Sequence, residues 1–141
     1  MMRDSQTGLY YEQYFNEFLA LERKRRGRAE GQELLLLADL SAFTDVSERQ
    51  SIAQSMMDVF SRVTRDTDVK GWYVDGMVIG VMFTEMTCEE ASPSMVQRYV
   101  ANKCLRSLES HLGTESFSRV HISWQPLHSE HIRKIHSASK R

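Results

Sequence analysis

The chain has 141 residues, with 18 Lys+Arg against 19 Asp+Glu for a net charge of −1, the length of one domain with one core. That balance excludes a nucleic-acid binder held by bulk charge and a long acidic tail. Hydrophobic residues at 41%, charged residues at 26% and 2 prolines exclude collagenous, low-complexity and disordered classes.

Asp4-Ser5-Gln6-Thr7-Gly8-Leu9 is a polar lead-in whose Asp4, Ser5 and Thr7 can cap a helix. Tyr11, Tyr14, Phe15, Phe18 and Leu19 then recur at helical spacing as one apolar stripe. This helix ends in Arg23, Lys24, Arg25, Arg26 and Arg28, with Gly27 and Gly31 as stops. Cations there suit the helix dipole and read as a solvated end; a phosphate site is the competing reading. Glu33 to Leu40 is a continuous apolar run closed by Asp39, which predicts a strand covered on both faces. Within it, Leu34 to Ala38 is too short to cross a bilayer.

Ser47 to Thr64 predicts a second helix, with Ile52, Met56, Val59, Phe60 and Val63 inward. Val69 to Tyr73 and Met77 to Phe83 predict a hairpin turning on Asp75-Gly76. Ser92-Pro93 opens a third helix whose inner face carries Val96, Tyr99, Val100, the stem of Lys103, Cys104 and Leu108, with Gly113 as its stop. Val120, Ile122 and Trp124 alternate on a last strand, and residues 127–141 form a polar tail. The order α-β-α-β-β-α-β predicts an α+β sandwich, a mostly antiparallel sheet with helices packed on it.

Several constellations carry little chemistry. His128, His131 and His136 have a metal-compatible spacing but no defined cysteine or acid partners, and they read as solvated tail. Met56, Met57, Met77, Met82 and Met86 read as core or interface filler. Trp72 and Tyr73 give one core face, and the other face reads as core ahead of the competing reading, an aromatic contact surface for a partner. Cys88 lies among Glu85, Glu89 and Glu90, which disfavour a thiolate nucleophile. No phosphate loop or dinucleotide fingerprint is present. No basic-then-apolar leader precedes a cleavage site, so Cys88 and Cys104 are expected reduced and the chain cytoplasmic. No cofactor, metal, nucleic acid or membrane span is expected.

Four segments resemble the GGDEF (diguanylate cyclase) family. Asp4 to Tyr10 followed by an aromatic helix resembles its D-x-L-T-G-L-x-N start, and Leu34 to Phe43 resembles its first strand and the D-x-D-x-F-K after it. Val69 to Phe83 stands where the signature hairpin belongs, and Val120 to Trp124 resembles its late S-x-G strand. The strand around Asp39 and Phe43-Thr44 also resembles class III adenylyl cyclases. The resemblance covers residues 4 to about 125, dividing the chain into a degenerate GGDEF-like domain (1–126) and the tail (127–141).

The family's chemistry condenses two GTP into cyclic di-GMP. It needs two carboxylates on Mg²⁺ and a Gly-Gly turn that lets the backbone approach the phosphates. Asp39 matches the first metal aspartate, but Ser41 stands at the second acid and Thr44 at the lysine. Ser47 and Glu48 replace the Asn-Asp pair that reads guanine, and the G-H-x-x-G-D loop before Arg65 is missing. In the signature, Val74 and Asp75 take the two glycines, Gly76 the catalytic acid, Met77 the glutamate and Val78 the phenylalanine. A slipped alignment offers Asp75 as the acid, with Val74 still crowding the phosphates. Asp39, Val74, Asp75 and Gly76 are therefore expected to be remnants of a site whose cyclase activity is lost.

Arg65-Asp66-Thr67-Asp68 is R-x-x-D, placed before the signature by Val69 to Tyr73, at the spacing of the family's inhibitory cyclic di-GMP site. The resemblance makes Arg65 and Asp68 ligand-binding residues. A guanidinium fork suits guanine or phosphate, and a carboxylate accepts from guanine N–H groups. The same four residues also read as a surface ion pair at a helix end. Three functions follow in order: a cyclic di-GMP receptor signalling to a protein partner or to other domains of a longer chain; a ligand-free interaction or dimerisation module; and a residual nucleotide cyclase using Asp39 and Asp75.

Overall fold

The computed structural model describes residues 2–26, 34–64, 68–83 and 93–126. Its elements are α1 (Glu12–Arg26), β1 (Leu34–Asp39), α2 (Val46–Val63), β2 (Val69–Val74), β3 (Val78–Phe83), α3 (Pro93–Leu112), α4 (Thr114–Ser118) and β4 (His121–Pro126). The strands form one sheet in the order β2-β3-β1-β4. Every adjacent pair is antiparallel, as β1 aligns Leu36 with Val81 of β3 and with Trp124 of β4. The predicted α+β architecture is the observed one. The short α4 is an addition to the expected order, lying between Gly113 and the last strand.

β1 is apolar throughout because both of its faces are covered. Leu36 and Ala38 join Met56, Val59 and Phe60 of α2 and Cys104 and Leu108 of α3 in one core. Leu35 and Leu37 face the other way, onto Phe15 and Leu19 of α1. Side chains alternate across a strand, so a central strand with helices on both sides must be apolar at every position. The same alternation puts Trp72 in the first core and Tyr73 in the second. Both are buried, as the preferred core reading of this strand expects, and neither forms an exposed aromatic contact face.

Phe15 has a seat cut by two glycines. Gly71 and Gly80 are paired across β2 and β3. A Cβ on Gly80 would lie 2.7 Å from two Phe15 ring carbons, and one on Gly71 2.7 Å from another. The phenyl ring thus lies directly on bare backbone, closer than any side chain there permits.

Several local expectations are corrected. Asp4 and Thr7 do not cap α1; they brace the lead-in, Asp4 Oδ1 accepting from the Gln6 N–H and Thr7 Oγ1 from the Leu9 N–H. Tyr11 is exposed rather than part of the buried stripe, and on α3 Tyr99 and Lys103 face solvent while Cys104 and Leu108 are buried. A helix face packed against one neighbour keeps only about a third of its circumference, so the ends of an apolar stripe emerge. The hairpin closes over three residues, Asp75 to Met77, between the paired Val74 and Val78. Gly76 takes positive φ there (71°), and Met77 is turn rather than strand. Val120, Ile122 and Trp124 pack together as expected, Trp124 stacking on Phe83 at 5.9 Å between ring centroids. No helix among the described residues is long and apolar enough to cross a membrane.

Candidate functional site

Two places hold the residues singled out above, one at each end of β2. At the hairpin end, Asp39 closes β1 between Val78 of β3 and His121 of β4. Its Oδ1 accepts the Ser41 N–H at 2.9 Å, an Asx turn that starts the loop to α2. The Leu40 N–H donates to the Met77 carbonyl at 2.9 Å, tying this loop to the hairpin tip.

Asp75 faces the start of α1. Its Oδ1 accepts the Glu12 N–H at 2.7 Å, and Glu12 Oε1 accepts the Asp75 N–H at 2.8 Å. The first N–H groups of a helix lack intrahelical partners, so this carboxylate caps α1 from 63 residues away, with the reciprocity of a capping box. Val74 is half-buried and packs with the α1-side core. Gly76 offers its carbonyl to Arg49 Nε at 2.8 Å, while Arg49 Nη1 donates to the Phe43 carbonyl at 2.7 Å. One guanidinium fork therefore fastens the tip to the β1–α2 loop. Arg119 holds the same loop from outside, its guanidinium 4.3 Å from the Phe43 ring centroid, 3.3 Å from the Ala42 carbonyl and 3.5 Å from Glu48. Asp45 caps α2 by accepting the Glu48 N–H.

At the other end of β2 lies an open recess of about 360 Å³ between α2, the start of β2 and the lead-in. Its walls include Met57, Ser61 and Thr64 of the α2 end, Asp68 and Lys70, and Arg3 and Tyr10. Asp68 is 5% exposed. Lys70 Nζ donates to Thr64 Oγ1 and to the Asp68 carbonyl, both at 3.2 Å. Arg3 Nη2 donates to the Tyr10 hydroxyl at 2.8 Å, and the guanidinium lies 4.4 Å from that ring's centroid. The lead-in is fixed to the sheet edge because the Tyr10 N–H donates to the Lys70 carbonyl and the Trp72 N–H to the Tyr10 carbonyl. In the core, burial and then the Asp68 carboxylate push the free Cys104 thiol up to about 12.

Asp39, Val74, Asp75 and Gly76 are thus gathered at one end, and Asp68 stands at the other. Arg65 lies outside the described residues, as do Cys88, the three histidines and the rest of the tail beyond Pro126. Among the described residues no cluster of three or more His, Cys, Asp or Glu side chains could hold a metal. Sequence reasoning missed Glu12, Arg49 and Arg119 at the tip, and Arg3, Tyr10 and Lys70 at the recess. Glu12, Arg49 and Arg119 act across long separations, on Asp75, the Gly76 carbonyl and the Ala42 carbonyl, whereas Arg3 and Lys70 bond near neighbours, Tyr10, Thr64 and the Asp68 carbonyl. The available signal was Arg3 and Tyr10 bracketing the lead-in, since a loop closed by its own hydrogen bonds brings its flanks together.

No family profile and no curated protein matches the chain. Solved structures do. The isolated GGDEF domain of TpbB (YfiN) from Pseudomonas aeruginosa is similar at a TM-score of 0.57 and 18% identity, over 74% of this chain and 61% of that one. The diguanylate cyclase SiaD from Pseudomonas aeruginosa, in complex with its activator SiaC, is similar at 0.64 and 19%, over 99% of this chain and 55% of that one. The chain therefore spans less than two thirds of the length of either structure. At these identities the likeness is one of fold. Together with the helix-covered antiparallel sheet and its signature-position hairpin, it gives this chain a GGDEF-like fold.

Proposed function

We propose that the chain is a GGDEF-like signalling domain without cyclase activity, which binds cyclic di-GMP at the R-x-x-D corner through Arg65 and Asp68. One observation carries this reading. Asp68 is a buried carboxylate in the wall of a recess that also carries Lys70 and Arg3, about 17 Å of strand away from the hairpin tip. Carboxylate and cations converging in one concavity suit a ligand with both N–H donors and phosphates.

The loss of cyclase chemistry has its own support. Two GTP molecules need Mg²⁺ held by two carboxylates. Asp39 contributes one, with an oxygen already committed to the Ser41 N–H, and Ser41 has only a hydroxyl. Asp75 is committed to the α1 N-terminus, and Arg49 bridges the tip to the loop where phosphates would need bare backbone. This donor set does not fit a two-carboxylate Mg²⁺ site.

Binding is tested by calorimetry with cyclic di-GMP on the native chain and on Arg65→Ala and Asp68→Asn. Saturable binding that weakens at least tenfold in both variants supports the reading; no heat with the native chain, or equal binding by the variants, refutes it. Incubation with GTP and Mg²⁺ or Mn²⁺ tests the lost activity, and turnover would overturn it. The second reading is an interaction module, either alone or beside other domains of a longer chain. SiaD is in complex with a protein activator, and here Leu21 on α1 and Tyr99 on α3 stand exposed at 63% and 68%. A concentration-dependent dimer in sedimentation, with no binding of guanine nucleotides, would favour it.

A further inference from the structure

We propose that the outer edge of β4 is a self-docking surface, on which a second copy of this chain pairs antiparallel, β4 against β4, and continues the sheet across a two-fold axis. The inference rests on the interaction reading above, gives it a surface and a partner, and is independent of nucleotide binding.

The two edges of the sheet are built differently. At the β2 edge the lead-in lies alongside, the Tyr10 N–H donating to the Lys70 carbonyl and the Trp72 N–H to the Tyr10 carbonyl. That strand also carries Lys70 and a register break between Trp72 and Val74, both common guards of a sheet edge. At the β4 edge, among the described residues, no strand or bridge pairs beyond it. Its six residues, His121 to Pro126, include no lysine, arginine or carboxylate.

The hydrogen-bond pattern fixes what that edge presents. The Leu40 N–H donates to the Met77 carbonyl, in step with the β1–β3 register. Alternate residues of a strand bond to opposite neighbours, so Leu36 and Ala38 bond toward β3, and Leu35, Leu37 and Asp39 toward β4. Their partners Gln125, Ser123 and His121 are thereby used. Ile122 and Trp124 turn their N–H and carbonyl groups outward. Pro126 belongs to the same outward set, so its missing N–H takes nothing from the ladder with β1. One two-fold register then matches every outward donor: Ile122 opposite Trp124 of the second copy, with Ser123 opposite itself on the axis. Sliding the pair one way sets Ile122 against Pro126 and loses a donor. Sliding it the other way sets Trp124 against Val120, outside the strand.

The side chains agree with this register. Ile122 and Trp124 lie on the α2 side of the sheet, while Ser123 and Gln125, opposite Leu37 and Leu35, lie on the α1 side. On the α2 side, Ile122 meets Trp124 of the second copy, a β-branched residue against an aromatic. On the α1 side, Ser123 meets Ser123 and His121 meets Gln125, hydrogen-bonding pairs without opposed like charges. His121 is exposed and Ile122 to Gln125 are half-buried, so the edge is accessible. Because the pairing is isologous it closes as a dimer and does not run on into a fibre.

Sedimentation velocity of the full chain from about 5 to about 500 μM follows the dimer, which an interface this small forms weakly. Ser123→Lys and Ser123→Glu each set like charges against one another on the axis, and either alone should weaken self-association at least tenfold. Mixed in equal amounts, the two variants should recover it as a Lys–Glu heterodimer, with melting curves confirming that both fold. Hydrogen exchange on the native chain reads the register. The Ile122 and Trp124 amides should slow as concentration rises, while the Ser123 and Gln125 amides stay protected at every concentration. A mixture no more associated than its components, or a dimer whose Ile122 and Trp124 amides do not respond to concentration, overturns this edge and leaves self-association standing. A native chain that is monomeric throughout overturns both, and none of these outcomes touches the cyclic di-GMP reading.

Discussion

Asp75 gives a sharp prediction because two roles compete for it. As a slipped catalytic acid it would be dispensable to the fold, and removing it would be neutral or stabilising, as is common for strained active-site groups. As the cap of α1 it supports stability. Asp75→Ala leaves the Glu12 N–H without its acceptor at 2.7 Å, a loss of about 1 kcal/mol on the scale of helix caps. Glu12→Ala removes the reciprocal bond at 2.8 Å and should cost a similar amount. Because each side chain braces the other's backbone, the double variant should lose less than the sum, by roughly 0.5 kcal/mol or more. Asp75→Asn keeps an acceptor oxygen and should lose less than half as much. For a chain of this size the single loss corresponds to a melting shift of roughly 3–5 °C. Urea denaturation followed by circular dichroism measures it, with an unchanged m-value expected. The reasoning is refuted if Asp75→Ala is as stable as the native chain, or if Asp75→Asn is as damaging as Asp75→Ala.

Other consequences concern the core and the loop clasp. Gly80→Ala puts a methyl 2.7 Å from Phe15 and should destabilise by about 1–3 kcal/mol; adding Phe15→Leu should cost less in that background than in the native one, checked by urea denaturation. Arg49→Ala should cost about 2 kcal/mol and Arg49→Lys should recover little, because an ammonium cannot fork to both the Phe43 and Gly76 carbonyls; thermal melts measure both. Cys104 favours its neutral thiol in the folded chain, so the unfolded chain loses that proton first. Its contribution to stability should therefore fall between the ordinary value of 9.0 and about 12, by up to about 1.4 kcal/mol per pH unit. Cys104→Ala should flatten that part of a pH–stability profile. A Cys104 that reacts freely with a thiol reagent at pH 8 in the native chain would contradict its burial.

The architecture was legible because burial imposes periods. The unbroken apolar run of β1, the alternation of Val120, Ile122 and Trp124, and the 3.6-residue stripe of α2 each follow from which faces are covered. What the periods could not convey was pairing across the chain. The Gly71–Gly80 seat for Phe15 looks like two ordinary weak points in strands until the register sets them opposite each other. Asp75 looks like half of a turn dipeptide or a displaced acid, and only the approach of α1 shows what its carboxylate holds. Asp4 and Thr7 were legible as hydrogen-bonding residues but not as braces of a loop, because capping a helix and closing a turn use the same short polar side chains. At the candidate site, the remnants around Asp39 could be ordered along the chain from the motif alone. Arg3, Tyr10 and Lys70 entered through the folding of the lead-in against the edge of β2.

The proposed function has this fold read a nucleotide at the Asp68 corner instead of making one at the hairpin tip. Calorimetric titration of cyclic di-GMP into the native chain and into Asp68→Asn tests it most directly, with melting curves establishing that the variant is folded. Saturable binding by the native chain, weakened at least tenfold in a folded Asp68→Asn, is the predicted result. No binding by the native chain, or the same affinity in both proteins, would contradict it.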